Sequence, residues 1–223
     1  MATTHGSLLD SVTSRFPNWV IAARTFRGDD TLLLKSAGVR EVCRALRDEP
    51  AWAFDFLMDL TGVDYLTFGH SQASEPSMRT PAPLPYFMKP KPVTETWSRG
   101  VDEAARFDVV YHLYSFSAHQ YLRVLTSVGE EKPELPTVCE IWRGAEWHER
   151  EVFDMMGIRF SGHPDLLRIL MWEGYPHHPL RKEFPLAGLT VDDVVKPAPM
   201  AGGPFATLPG EKTTVEREPR AKG

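Results

Sequence analysis

The residues best equipped for chemistry gather in the second half of the chain. His148-Glu149 opens like the zinc motif H-E-x-x-H, but the position one turn on is Val152, so the second ligand is missing. His163, Asp165, His177 and His178 offer a looser set of donors. Zinc ligands usually sit in tight pairs on rigid elements, and adjacent side chains such as His177 and His178 on extended chain point apart. No metal centre is expected from them. No glycine-rich phosphate loop is present, since Gly202-Gly203-Pro204 lacks a strand–helix setting, and no Ser occupies a nucleophile elbow. Neither a catalytic site nor a cofactor site is expected in this chain.

What remains is a concentration of charge. Glu146, His148, Glu149, Arg150, Glu151 and Asp154 fall on one side of a run whose other side carries Val138, Ile141, Trp142, Ala145, Val152, Phe153 and Met156 at helical spacing. Thr137 and Glu140 fit a T-x-x-E capping box, and Gly157 is a natural stop, so a helix is expected from 137 to 157. Its charged face is either solvated or a docking surface. Arg181-Lys182-Glu183-Phe184-Pro185 reads as an extended arm, with Arg181 able to grip carboxylates and Phe184 able to fill a pocket. His163-Pro164-Asp165 is also the tripeptide of J-domain co-chaperones, but here an apolar Leu-Leu-Arg-Ile-Leu run follows instead of a basic helix.

The elements that must position these residues come earlier. Ser7 to Phe16 predicts a short amphipathic helix ended by Pro17. Trp19–Phe26 and Thr31–Lys35 read as a hairpin turning at Arg27-Gly28-Asp29-Asp30. Ser36 is expected to cap a helix carrying Val39, Val42, Cys43 and Leu46. Trp52–Leu60 reads as irregular or helical and Val63–Phe68 as a strand. Phe107–Phe116 and Tyr121–Val128 are the clearest strands, joined at Ser117-Ala118-His119-Gln120. The expected architecture is α+β: a two-layer domain with helices on a mixed β-sheet, then a long helix and an extended C-terminal arm.

Prolines crowd the aperiodic stretch from Gly69 to Arg106, which predicts a long surface excursion that the fold does not need. The expected division is therefore 1–130, with that insertion, then 131–185 as helix and partner-binding arm, then 186–223 as an extended or disordered tail. With 223 residues, 42% hydrophobic, the chain can bury a sizeable core. A net charge of −5 argues against nucleic acid as a partner. Cys43 and Cys139 make neither a disulfide framework nor a cluster ligand set. No apolar run is long enough to span a bilayer, and Met1 to Asp10 does not read as a secretory signal. Membrane association is expected only through partners.

One further pattern is specific. Glu149-Arg150-Glu151-Val152-Phe153-Asp154-Met155-Met156-Gly157-Ile158, then Phe160-Ser161-Gly162-His163-Pro164-Asp165-Leu166, then Pro179-Leu180-Arg181-Lys182-Glu183-Phe184-Pro185 closely resembles the signature of the C subunit of proton-pumping NADH:quinone oxidoreductase, respiratory complex I. Arg168 and His178 match as well, while Leu167 and His177 depart from the family's arginine and glycine. The resemblance implies a non-redox scaffold subunit of the hydrophilic arm, supporting electron transfer from NADH to quinone coupled to proton translocation. It implies no cofactor here, with FMN, iron–sulfur clusters and quinone held by partner subunits. It implies subunits D, B and I as partners, and a peripheral position on the cytoplasmic side of the inner membrane. Glu149, Arg150, Glu151, Asp154, His163, Pro164, Asp165, Arg168, His178, Arg181, Lys182 and Phe184 become the expected partner contacts. The equivalent subunit of a related membrane-bound hydrogenase or ferredoxin-dependent complex is the nearest alternative. A free-standing hydrolase using His163 and Asp165 is a more distant one.

Overall fold

The computed structural model describes residues 5–66, 105–186 and 188–189. After helix α1 (His5–Arg15), which buries Leu8, Leu9 and Val12, strands β1 (Val20–Phe26) and β2 (Asp29–Leu34) pair as the expected hairpin. Both turn residues take positive φ, 54° at Arg27 and 92° at Gly28, the geometry that suits the twist of a two-residue hairpin. A 3-10 turn (Ser36–Gly38) then precedes α2 (Val39–Asp48), so Ser36 does not cap that helix as expected. Gly38 holds the position before α2 because the Trp19 ring packs on it, leaving no room for a Cβ. Val39, Val42, Cys43 and Leu46 are the buried face of α2, as their spacing predicts.

The next strand corrects the sequence reading. Phe56–Asp64 is β3, where Trp52–Leu60 was expected to be irregular or helical and a strand was expected only from Val63. It pairs antiparallel with β4 (Phe107–Ser115), which pairs antiparallel with β5 (Gln120–Val128). β5 then runs parallel to β2, giving the sheet order β1-β2-β5-β4-β3. Leu32, Leu34, Leu122, Val124, Tyr111 and Leu113 share one core with the apolar faces of the helices. Leu33, Val110 and Leu125 form a second small cluster with Ala22 and Val63. The fold is the α+β, mixed-sheet architecture anticipated.

Two short strands and the signature helix complete it. β6 (Glu134–Pro136) and β7 (Arg159–Ser161) pair parallel, one on either side of α3 (Ala145–Met156) in sequence. The helix therefore starts at Ala145 and not at Thr137. Residues 137–144 make turns instead, with Ile141 and Trp142 N–H both bonded to the Val138 carbonyl. Trp142 Nε1 donates to the Phe54 carbonyl at 3.0 Å and pins that turn to the first half of the chain. Gly62 is the crossing point of β3 and α3: a Cβ there would run into the Met156 thioether.

Residues expected to divide at 130 instead belong to one compact unit through Leu186, and α3 packs into the same core as α1 and α2. The Pro-rich excursion lies outside the described residues between 67 and 104. Ala105 and Arg106, assigned to it by sequence, are buried parts of the fold. The expected tail is likewise outside the described residues beyond Leu186, apart from 188–189.

Candidate functional site

The last turn of any helix leaves four carbonyls without partners inside the helix. In α3 the C-terminal arm supplies donors for most of them. Gly157 N–H takes the Phe153 carbonyl, and Leu180 N–H takes that of Met155 at 3.0 Å. His178 Nδ1 donates to the Asp154 carbonyl at 2.9 Å, and Arg181 Nε to that of Met156 at 2.7 Å. Gly157 can be nothing larger: its φ is +77°, and a Cβ would lie 2.6 Å from both Arg181 Nη2 and His178 Nε2.

Asp154 is the second anchor. It is fully buried, and its Oδ2 accepts N–H bonds from Ile169, Leu170 and Met171 while Oδ1 meets Arg168 Nη1 at 2.5 Å. Burial pushes this carboxyl up, but those N–H groups and the guanidinium outweigh it and hold it below the usual carboxylate range. Arg168 also donates to the carbonyls of Asp154, Tyr175 and His177, so one side chain ties the end of α3 to the 175–177 segment. His177 has no positive φ, and its ring packs edge-on to Tyr175 and Phe184. His178 is half-buried, and burial together with Arg181 and Arg168 outweighs its bond to the Asp154 carbonyl, so its pKa falls.

Glu149 anchors the other end. Its carboxylate accepts the Val138 N–H at 2.7 Å and the Thr137 hydroxyl at 2.6 Å. Thr137 therefore serves a buried carboxylate and not a capping box, and Glu140 instead pairs with Arg40 and Arg44. Burial raises the Glu149 carboxyl despite these bonds. Arg150 stacks on Trp147 and donates to the carbonyls of Leu167 and Arg168.

A third anchor joins arm and sheet. Arg106 grips both oxygens of Asp64, at 3.0 and 2.8 Å, and also pairs with Glu130 and Glu183. Asp64 in turn accepts the Lys182 N–H. Burial alone would raise Asp64, but the Arg106 guanidinium and the N–H groups of Lys182 and Leu66 bring it down to about 2.

The expected partner contacts thus fall into two groups. Glu149 and Asp154 are interior residues, and Arg150, Arg168, His178 and Arg181 are committed to the chain's own backbone, which corrects the reading of them as a surface face and a coreless arm. Glu151, Pro164, Asp165 and Lys182 are exposed, and Phe184 is partly buried. His163 is partly buried: its Nδ1 accepts the Asp165 N–H, and its Nε2 faces the Glu146 carbonyl at 3.2 Å. It lies with Cys139 and Glu149, their ligand atoms within 4.8 Å of one another. Asp64 and Arg106 were missed, because bonds spanning 42 or 118 residues leave no local pattern.

Among the described residues no helix is long and apolar enough to cross a membrane. Residues 32–190 match the family model described as respiratory-chain NADH dehydrogenase, 30 Kd subunit. The C subunit of the NADH-quinone oxidoreductase of Coxiella burnetii (strain Dugway 5J108-111) is 38% identical over 192 residues, covering 82% of this chain and 78% of the relative. Its namesake in Roseiflexus sp. (strain RS-1) is 36% identical over 186 residues, covering 83% and 87%. A solved structure of the membrane-bound sulfane sulfur reductase, an archaeal respiratory membrane complex, shares the fold with a TM-score of 0.54 at 18% identity, covering 81% of this chain and 85% of that one. The family model spans most of the chain, and the braced helix is built from the very residues that carry the signature: the chain belongs to the 30 kDa subunit family of respiratory NADH dehydrogenase, the C subunits of the bacterial enzymes.

Proposed function

We propose that the chain is a non-redox scaffold subunit of the hydrophilic arm of complex I, supporting electron transfer from NADH to quinone coupled to proton translocation. The observation that carries this reading is where the signature residues go. They lock residues 163–184 against α3 and the sheet. An arm held that firmly still leaves Leu167, Leu170, Trp172 and Leu180 each more than half exposed. Apolar side chains presented on a rigid support suit contact with other proteins.

In this reading the partners are subunits D, B and I, the first of them carrying the quinone site, and the chain reaches the cytoplasmic face of the inner membrane only through them. FMN, iron–sulfur clusters and quinone belong to partner subunits. A subunit of a membrane-bound hydrogenase or ferredoxin-dependent complex is the second reading, favoured only by the fold shared with an archaeal respiratory complex. The hydrolase reading has little support, since both His163 ring nitrogens already face backbone groups.

Affinity purification of the tagged chain from native membranes tests the proposal. Co-purification of NADH-oxidising and quinone-site subunits is the expected result. Recovery of hydrogenase or ferredoxin-linked subunits would favour the second reading, and recovery of the chain without membrane partners would overturn the scaffold role.

A further inference from the structure

We propose that Cys139, Glu149 and His163 form a binding site for a thiophilic divalent cation of the Zn2+ class. Their ligand atoms all lie within 4.8 Å of one another. They come from three separate places: the turn after β6, the buried side of α3, and the loop after β7. Each is fixed by its surroundings. Glu149 is held by Thr137 and the Val138 N–H, the Cys139 N–H donates to the Thr137 hydroxyl, and the His163 N–H donates to the Phe160 carbonyl.

The donor chemistry selects the ion. One sulfur, one imidazole nitrogen and one carboxylate oxygen suit zinc, whereas magnesium and calcium prefer oxygen throughout. Three protein ligands leave a fourth tetrahedral position for water. Cys139 and His163 are only partly buried, which gives the ion a route from solvent to the buried Glu149.

The carboxylate has room for the ion. A carboxylate accepts about four bonds, and Glu149 already takes one from Val138, one from Thr137 and a long one, 3.4 Å, from the Cys139 thiol. Coordination replaces that last contact: the thiol proton leaves to solvent, and sulfur and carboxylate oxygen both bind the metal. His163 must exchange one contact as well, giving up either the Asp165 N–H or the Glu146 carbonyl. No electron is transferred, and the bound ion would cross-link the β6 turn, α3 and the loop carrying His163. The inference departs from the sequence expectation of no metal, and it stands independently of the complex I reading.

Titrating the reduced, full-length chain with Co2+ tests it. The expected result is a thiolate-to-cobalt charge-transfer band with tetrahedral visible bands, saturating at one equivalent and removed by Zn2+. Both should disappear in Cys139→Ser, persist in Cys43→Ala, and need roughly tenfold more Co2+ in His163→Gln. Circular dichroism of each variant separates lost binding from lost folding. As a second readout, Zn2+ should raise the thermal midpoint of the wild-type chain and not that of Cys139→Ser. Absence of the charge-transfer band, its survival in Cys139→Ser, or equal Zn2+ shifts in both proteins would overturn the site.

Discussion

Gly157 and Arg181 meet where helix α3 gives way to the arm. Arg181 Nε caps the Met156 carbonyl, and its Nη2 occupies the space that a Cβ on Gly157 would need, only 2.6 Å away. The glycine makes the arm's approach possible, and the arginine uses that approach to close the helix.

Gly157→Ala should therefore carry two penalties. An alanine at φ +77° is strained by about 1 kcal/mol, and displacing Arg181 and His178 adds a packing cost of roughly 1–3 kcal/mol. Gly129→Ala is the control, since nothing lies within 4 Å of a Cβ there and its φ is ordinary. A thermal midpoint for Gly157→Ala matching that of Gly129→Ala would mean the arm does not pack on the helix end.

Asp154→Asn keeps the shape of the second anchor and removes its charge. It leaves the largely buried Arg168 facing an amide, for an expected loss of about 3 kcal/mol. The loss should be local as well as global: hydrogen exchange at Ile169, Leu170 and Met171 should accelerate ahead of the sheet amides. Unchanged protection at those three amides would remove Asp154 as their acceptor.

The limits of legibility follow from the same anchors. β4 and β5 were readable because branched and aromatic residues dominate them. β3 was not: its pairing register shifts between Leu57 and Asp59, Phe56 and Met58 are exposed, and Gly62 interrupts it, so alternation is lost. The charged side of α3 was visible, but nothing local distinguishes Glu149 and Asp154, which face inward, from exposed Glu151. Their partners lie at 137–138 and 168–171, and only the folded chain brings them there. The capping-box pattern at Thr137 and Glu140 was genuine as sequence, but pairing of β6 with β7 and the bond to Glu149 drew Thr137 elsewhere.

Asp64 and Arg106 give the fold an acid-sensitive joint. The Asp64 carboxyl drops from an ordinary value near 3.8 to about 2. A depressed carboxyl stabilises the fold above its unfolded pKa, and that contribution is lost as pH falls from about 4 through about 2. The shift corresponds to roughly 2 kcal/mol. Arg106→Met should remove this slope and cost about 3–5 kcal/mol at neutral pH by stranding a buried carboxylate. A wild-type slope retained in Arg106→Met would exclude the pair as its source.

The same joint moves the limit of the dispensable excursion. Replacing residues 69–104 with a short linker, while keeping Ala105 and Arg106, should leave the thermal midpoint nearly unchanged, since loop-closure entropy varies slowly with length. Extending the deletion through Arg106 should not be tolerated, because the same guanidinium also holds Glu130 and Glu183. A collapsed spectrum for the shorter deletion would show that the excursion contributes to the core.

Arg181 and Glu151 separate bracing from docking. Arg181→Ala removes the cap on Met156 and the guanidinium 5.3 Å from the centre of the Phe107 ring, so the isolated chain itself should lose about 2–3 kcal/mol. Glu151 is exposed on α3, and Glu151→Ala should change the isolated chain by less than about 0.5 kcal/mol. The two variants should then diverge in membranes. Arg181→Ala should lower assembled complex in step with its lost stability, while Glu151→Ala should lower complex yield and quinone reductase activity with no change in the thermal midpoint. Thermal melts of purified chains beside native-gel yields from membranes make the comparison. A stable Arg181→Ala chain that fails to assemble would turn that arginine back into a partner contact and undo the brace. Full assembly and activity in Glu151→Ala would place this face of the helix outside the interface.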